Sequence, residues 1–173
     1  MVHNQLYLND DRLSSSVPRR VKASRNFTHD PEKPVPTIAS NALGMFELTK
    51  GAEDENNKGG RIFHRLKTLF IAGAANQKEE PRHFGSKSPY PLLKDRPDVL
   101  TFQSNPLKSD TEITGGIQVI LWVSSSAIDT DFTAKLLDVY PPSKTYEDGY
   151  HMNLTDSIIR TRYRNGFDTE EMM

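Results

Sequence analysis

The sequence contains no cysteine, so serine is the residue type to consider first as a catalytic nucleophile. Serine hydrolases of the α/β type hold the nucleophile on a sharp turn with the pattern G-x-S-x-G. The nearest match is Gly85-Ser86-Lys87-Ser88, which lacks the second glycine and lies in a segment rich in proline and basic residues. The sequence therefore identifies no catalytic serine.

Histidine is the next candidate, as a general base or a metal ligand. The chain has five: His3, His29, His64, His83 and His151. No two are spaced i, i+4, and no H-E-x-x-H motif occurs. The absence of cysteine also excludes disulfides and thiolate zinc sites. We expect no catalytic, cofactor-binding or metal-binding residue in this chain.

A group of acidic residues follows residue 128. Asp129-Thr130-Asp131, with Asp138, has part of the oxygen-ligand spacing of an EF-hand calcium loop. The glycine at loop position six and the glutamate at position twelve are missing. The alternative, which is favoured, is that Asp129 begins a turn and its carboxylate bonds nearby backbone. Lys135 could pair with a neighbouring acid on the polar face of its strand.

Three arginines alternate near the end of the sequence: Arg160, Arg162 and Arg164. On one β-strand they would share a face and could bind an anion. Alternatively, acidic residues of the next strand neutralise them. The formal net charge of −1, from 22 basic and 23 acidic residues, favours neutralisation.

Length and composition limit the class of protein. A chain of 173 residues suggests about one domain. The near-neutral charge argues against a general nucleic-acid binder, and no apolar run is long enough for a transmembrane helix. The N-terminus lacks the basic and apolar regions of a signal peptide, so the sequence leaves the compartment open. The apolar content of 35% is low for a globular domain.

The first half of the chain predicts little regular structure. Leu6-Tyr7-Leu8 is a short strand candidate, and three prolines fall within residues 31–36, which favours an extended, irregular segment. Apolar residues spaced for one helix face predict an amphipathic helix over residues 61–72. Its basic residues could contact a membrane surface or a partner, but packing on its own protein is favoured.

The second half has the patterns of β-strands. The candidates are Val99 to Phe102, Ile117 to Val123, Phe132 to Tyr140, Tyr150 to Leu154 and Ile158 to Tyr163. The second is apolar on one face and mostly apolar on the other, which predicts a strand inside a sandwich with Trp122 in the core. These spacings predict a mainly β fold, an antiparallel sandwich or barrel. Five strands are fewer than a sandwich needs, so exposed strand edges could support an oligomer.

Several runs in this half resemble the cocaine esterase and Xaa-Pro dipeptidyl-peptidase family of serine hydrolases. They are Arg96-Pro97-Asp98-Val99-Leu100-Thr101-Phe102, Ile113-Thr114-Gly115, Leu121-Trp122-Val123-Ser124-Ser125, Asp129 to Leu136, Asp138-Val139-Tyr140-Pro141, Asn153-Leu154-Thr155-Asp156 and Arg160 to Arg164. Upstream, Asp30-Pro31 and Pro34-Val35-Pro36-Thr37 resemble the family's segment between its catalytic and C-terminal domains.

The resemblance implies an α/β-hydrolase domain with a Ser-His-Asp triad, followed by a C-terminal jelly roll of galactose-binding-like shape. The family's catalytic residues precede the segment that matches residue 6, so none carries over to this chain. The sequence departs from the family pattern at Ala39-Ser40-Asn41, where Gly-Gly is usual, and at Ser157, where related sequences often have glycine. An Asp-Gln-Arg motif common before the jelly roll is also absent.

We therefore expect residues 1–43 to form a connector that resembles the end of the hydrolase part. Residues 44–83 would be an insertion containing the helix, and residues 84–173 the first part of an incomplete antiparallel jelly roll. The expected function is that of the non-catalytic C-terminal β-domain of such a hydrolase, packed on the catalytic domain and inactive alone. The alternative is a stand-alone β-sandwich module that binds carbohydrate or protein.

Overall fold

The computed structural model describes residues 4–18, 24–39 and 74–173, and these residues form a mainly β structure. Its elements are β1 (Tyr7–Asn9), β2 (Arg12–Ser14), β3 (Asp131–Tyr140) and β4 (Tyr150–Arg160), with short 3₁₀ turns at Leu93–Asp95 and Thr161–Tyr163. The helix expected over residues 61–72, and most of the expected insertion, lie outside the described residues. Within the described ranges, no helix is long and apolar enough to cross a membrane.

The largest element is the antiparallel hairpin of β3 and β4. Its register runs from Asp131 opposite Arg160 to Tyr140 opposite Tyr150, with an irregularity between residues 136 and 137. The predicted strand over residues 132–140 is confirmed. The prediction of two strands after residue 150 is wrong, because one strand continues to Arg160. Its polar middle stays paired since Asp156 accepts a hydrogen bond from Lys135 of β3 at 2.8 Å.

The loop that joins β3 to β4 depends on one glycine. Gly149 has φ +81°, and a Cβ atom there would lie 2.5 Å from the Tyr140 carbonyl oxygen. Both features favour the residue without a side chain. Tyr146 and Tyr150 meet edge to face near this loop, with ring centroids 4.7 Å apart. Gly149 therefore lets the loop pass close to the end of β3.

Residues 75–79 extend the sheet beyond β4. Gln77 N–H donates to the His151 carbonyl at 2.9 Å, and Asn153 N–H donates to the Ala75 carbonyl at 3.1 Å. On the other side, Leu93 N–H donates to the Gln77 carbonyl at 2.9 Å. This segment thus lies between β4 and residues 91–93, and its alternate residues Ala75, Gln77 and Glu79 are buried.

The N-terminal hairpin of β1 and β2 confirms a short strand near Leu6-Tyr7-Leu8. It is tied to residue 103, because Leu13 N–H donates to the Gln103 carbonyl and Gln103 N–H donates to the Asp11 carbonyl. The predicted strand from Val99 to Phe102 is wrong. Only the next residue, Gln103, forms a β-bridge, and the preceding residues form turns around Arg96 instead.

The predicted strand from Ile117 to Val123 also differs from the structure. These residues belong to no strand, and the Trp122 side chain is wholly exposed rather than in a core. The apolar residues from Ile117 to Val123 would suit a strand that is buried on both sides. No strand among the described residues pairs with them or covers them, so the pattern alone could not place them in a sheet.

Candidate functional site

Residues 30–39, which we call the strap, lie across the buried face of residues 75–79. Ile38 and Ala39 of the strap form a small core with Ala75 and Leu93, and Val35 packs against it. This core is the main buried apolar cluster of the described residues. The strap is therefore part of the folded unit rather than a free connector.

Three side chains hold the strap through its backbone carbonyls. Gln77 Nε2 donates to the Ile38 carbonyl at 2.9 Å. Arg96 Nη2 donates to the Lys33 carbonyl at 2.8 Å, and Lys87 Nζ donates to the Glu32 carbonyl at 3.3 Å. Backbone contacts of this kind fix the path of the strap with little demand on its side chains.

A buried cluster of three charged side chains lies beside the strap. Arg96 Nη1 is 2.6 Å from Glu79 Oε1, and its Nε and Nη2 form a bidentate pair with the Asp98 carboxylate at 2.8 and 2.6 Å. The side chains of Arg96, Glu79 and Asp98 are 3%, 0% and 7% exposed. Hydrogen bonding to Arg96 holds the pKa of the Asp98 carboxyl below its usual range. The same pairing raises the pKa of Arg96.

Only part of this cluster was predictable from the sequence. Arg96-Pro97-Asp98 belongs to a run that carries the family resemblance, but its third member, Glu79, lies seventeen residues earlier. A polar residue at a buried position of a strand has no periodic signature of its own. Only the pairing of residues 75–79 with 91–93 brings the carboxylate to the guanidinium.

The turn at residues 80–87 places the serine and histidine candidates. His83 is buried and its Nδ1 accepts the Glu80 N–H at 3.1 Å, while Ser86 N–H donates to the His83 carbonyl. The hydroxyl of Ser86 and Nε2 of His83 are both buried and have no hydrogen-bond partner among the described residues. Because these two side chains do not bond to each other, they do not form a nucleophile–base pair.

Burial disfavours the charged imidazolium of the two described histidines that lie inside the structure. Desolvation lowers the pKa of His83, and the negative charge of Glu80 partly opposes this shift. Desolvation also lowers the pKa of His151 on β4. Neither side chain lies beside a hydroxyl in the geometry of a catalytic base. His3 and His64 lie outside the described residues.

The acidic group that could have held calcium instead binds arginine. Asp129 accepts hydrogen bonds from Arg162 Nε at 2.6 Å, from Thr161 Oγ1 at 2.9 Å and from Arg162 N–H at 3.1 Å. The carboxylate does bond backbone, but the N–H belongs to Arg162, thirty-three residues along the chain, rather than to a local turn. Across the described ranges, no group of three or more acidic or histidine side chains is arranged to hold a metal ion.

The three alternating arginines are neutralised by acidic residues. Arg160 forms a bidentate pair with Asp131 of β3 at 2.8 and 2.9 Å. Arg162 pairs with Asp129, and Arg164 lies 3.2 Å from Glu171. The prediction of neutralisation by acidic residues is confirmed, but only Asp131 of the three partners lies on a strand. A common strand face is wrong, because β4 ends at Arg160 and the later two arginines lie in or after the 3₁₀ turn.

An exposed apolar surface covers residues 113–128, which we call the apolar segment. Two of its residues, separated by one position, are the most exposed: Ile120 is 75% and Trp122 is 100% exposed. Leu121, which lies between them in the sequence, is 44% exposed. Several large apolar side chains exposed within one short segment are candidates for an interaction site. The arrangement suits binding to another surface rather than bond-breaking chemistry.

Comparison with known proteins agrees with this non-catalytic character. The model of a family described as the X-Pro dipeptidyl-peptidase C-terminal non-catalytic domain matches residues 3–173. A cocaine esterase from Rhodococcus sp. (strain MB1 Bresler) is 49% identical over 72 residues, which is 42% of this chain and 12% of the esterase. The chain thus matches only a small part of that relative's length. No solved structure matches the chain.

Proposed function

Because the chain belongs to the family of X-Pro dipeptidyl-peptidase C-terminal non-catalytic domains, we propose that it is the β-domain part of a cocaine esterase-type serine hydrolase. In this proposal it packs on an α/β-hydrolase domain that carries the Ser-His-Asp triad. That domain hydrolyses an ester or amide by acylation of its serine. The chain itself contributes binding surface and no catalytic group, and is inactive alone.

The observation that carries this proposal is the exposure of the apolar segment. A side chain as large as that of Trp122 contributes strongly to binding when it is removed from water. Its full exposure, beside Ile120, leaves that contribution unused in the described structure. The matched family consists of non-catalytic domains of X-Pro dipeptidyl-peptidases. The partner that we propose is therefore another part of the same hydrolase.

A jelly roll is the form that we propose for the assembled β-domain. Ile117 to Val123 is apolar on one face and mostly apolar on the other, which suits a strand in the interior of a sandwich. The hairpin of β3 and β4 would supply two adjoining strands. In this arrangement residues 84–173 form the first part of the jelly roll and residues 1–43 its connector. Self-association through open strand edges stays a prediction.

The alternative of a stand-alone carbohydrate- or protein-binding module is not favoured by the comparisons, which match hydrolase-associated proteins. Fold alone does not separate these functions, because lectins and enzymes share sandwich architectures. A glycan array gives a direct check, and specific binding of a sugar would favour the alternative.

Docking tests the proposal. The catalytic part of a cocaine esterase-type relative would be expressed without the region that corresponds to this chain, and titrated with the purified chain. We expect binding that Trp122→Ser weakens at least tenfold, a loss typical of a central aromatic anchor. Phe84→Ser is the matched control, because Phe84 is also largely exposed but lies outside the apolar segment. Equal effects of the two variants would contradict the proposal.

A further inference from the structure

His83 lies in the turn at residues 80–87, which contacts both the strap and the buried charge cluster. The turn packs closely on the strap, since a Cβ atom on Gly85 would lie 2.9 Å from Pro34 Cγ. It also contacts the cluster, because Lys87 N–H donates to Glu79 Oε2 at 3.4 Å. A change in the shape of this turn would therefore reach the strap directly.

The hydrogen bond of His83 requires the neutral imidazole. Nδ1 accepts the Glu80 N–H at 3.1 Å, so Nδ1 carries no proton and Nε2 does. In the imidazolium both nitrogens are donors, and Nδ1–H would face the Glu80 N–H. Protonation would break this bond and place a charge in a buried site. The ring cannot be both charged and seated in its present position.

We propose that His83 is a pH-sensitive latch for the strap, whose protonation opens the turn at residues 80–87 and loosens residues 30–39. The strap keeps its other contacts, from Gln77 and Arg96, so acid weakens its seating without unfolding the sheet. This inference does not depend on the proposed hydrolase partner. It concerns the chain itself and can be measured on it.

The charged groups near His83 act in opposite directions. Glu80 and Glu79 favour the imidazolium, whereas Arg82 disfavours it. Desolvation outweighs them and lowers the pKa in the folded chain below the ordinary value of 6.5. The folded state then binds fewer protons than the unfolded state, so stabilisation by His83 is present above pH 6.5 and is lost as pH falls from there toward the folded-state pKa.

Thiol labelling measures how accessible the strap is to solvent. An introduced cysteine is the single thiol, because the chain has no native cysteine. Val35→Cys places the probe on the half-buried part of the strap, and Ser16→Cys gives a reference at an exposed site. The ratio of the two labelling rates removes the effect of pH on thiolate chemistry. Between about pH 7.5 and 5.5 we expect this ratio to rise by roughly tenfold, from the loss of one buried hydrogen bond.

His83→Asn is the decisive variant, since its side-chain oxygen can accept the Glu80 N–H but does not titrate. We expect its labelling ratio to be independent of pH. His151→Asn removes the other buried histidine and should retain the wild-type response. A flat wild-type ratio, or an equal rise in His83→Asn, would overturn the proposal. If that variant does not fold, NMR titration of wild-type His83 decides, and a pKa at or above 6.5 overturns the latch.

Discussion

Removal of Arg96 tests the energetic role of the buried charge cluster. Arg96→Leu leaves Glu79 and Asp98 as buried carboxylates with no cation, and removes the donor to the Lys33 carbonyl. Breaking a buried ion pair from one side costs about 3–5 kcal/mol, because the remaining charge loses its compensation. Loss of the strap hydrogen bond adds about 1 kcal/mol. The sum approaches the total stability of a small domain.

The matched control is Arg160→Leu. Arg160 also forms a bidentate pair with an aspartate, Asp131, but its side chain is 51% exposed against 3% for Arg96. Solvent screening makes such surface pairs weak. Urea unfolding followed by far-UV circular dichroism gives the free energy of unfolding of each variant.

We expect Arg96→Leu to lose most of the folded population and Arg160→Leu to remain folded. Arg96→Lys, which keeps the charge but loses the fork geometry, should fall between them. Similar losses for Arg96→Leu and Arg160→Leu would contradict this prediction, since burial would then not distinguish the two ion pairs. A gain in stability for Arg96→Leu would refute it as well.

Three further predictions concern single sites. The pairing of Asp98 with Arg96 lowers the Asp98 pKa, so its stabilisation is present above the ordinary value of 3.8 and is lost as pH falls below it; Asp98→Asn should flatten the acid side of the stability curve, and an unchanged curve counts against the pairing. Gly149→Ala should cost about 1–3 kcal/mol in urea unfolding from strain at positive φ, whereas Gly116→Ala, which has open space around it, should cost little. Trp122, fully exposed, should show the emission of solvated indole and full quenching by iodide; blue-shifted emission from the isolated chain would show that the apolar segment is covered.

Sequence patterns within one segment predict those strands whose ends and buried side chains are determined within that segment. The strand from Phe132 to Tyr140 was predictable because its apolar alternation ends at Pro141-Pro142. Neutralisation of the arginines followed from net charge alone. The continuity of β4 was missed, since its polar middle depends on the cross-strand pair of Lys135 and Asp156.

Non-local contacts explain the remaining differences. The packing of the strap and the cluster of Glu79, Arg96 and Asp98 both require three separate segments of the chain to meet. The periodicity of a single segment does not encode such contacts. Trp122 shows the opposite error. Its apolar surroundings predict burial, but the side chain is wholly exposed, because a local pattern does not determine which other residues would cover it.

The most direct test of the central claim is the activity of the purified chain toward an activated ester and an Xaa-Pro anilide. We expect no turnover above background, because no serine among the described residues is paired with a base. Turnover that Ser86→Ala or Ser88→Ala abolishes would contradict it, since the chain would then carry its own nucleophile.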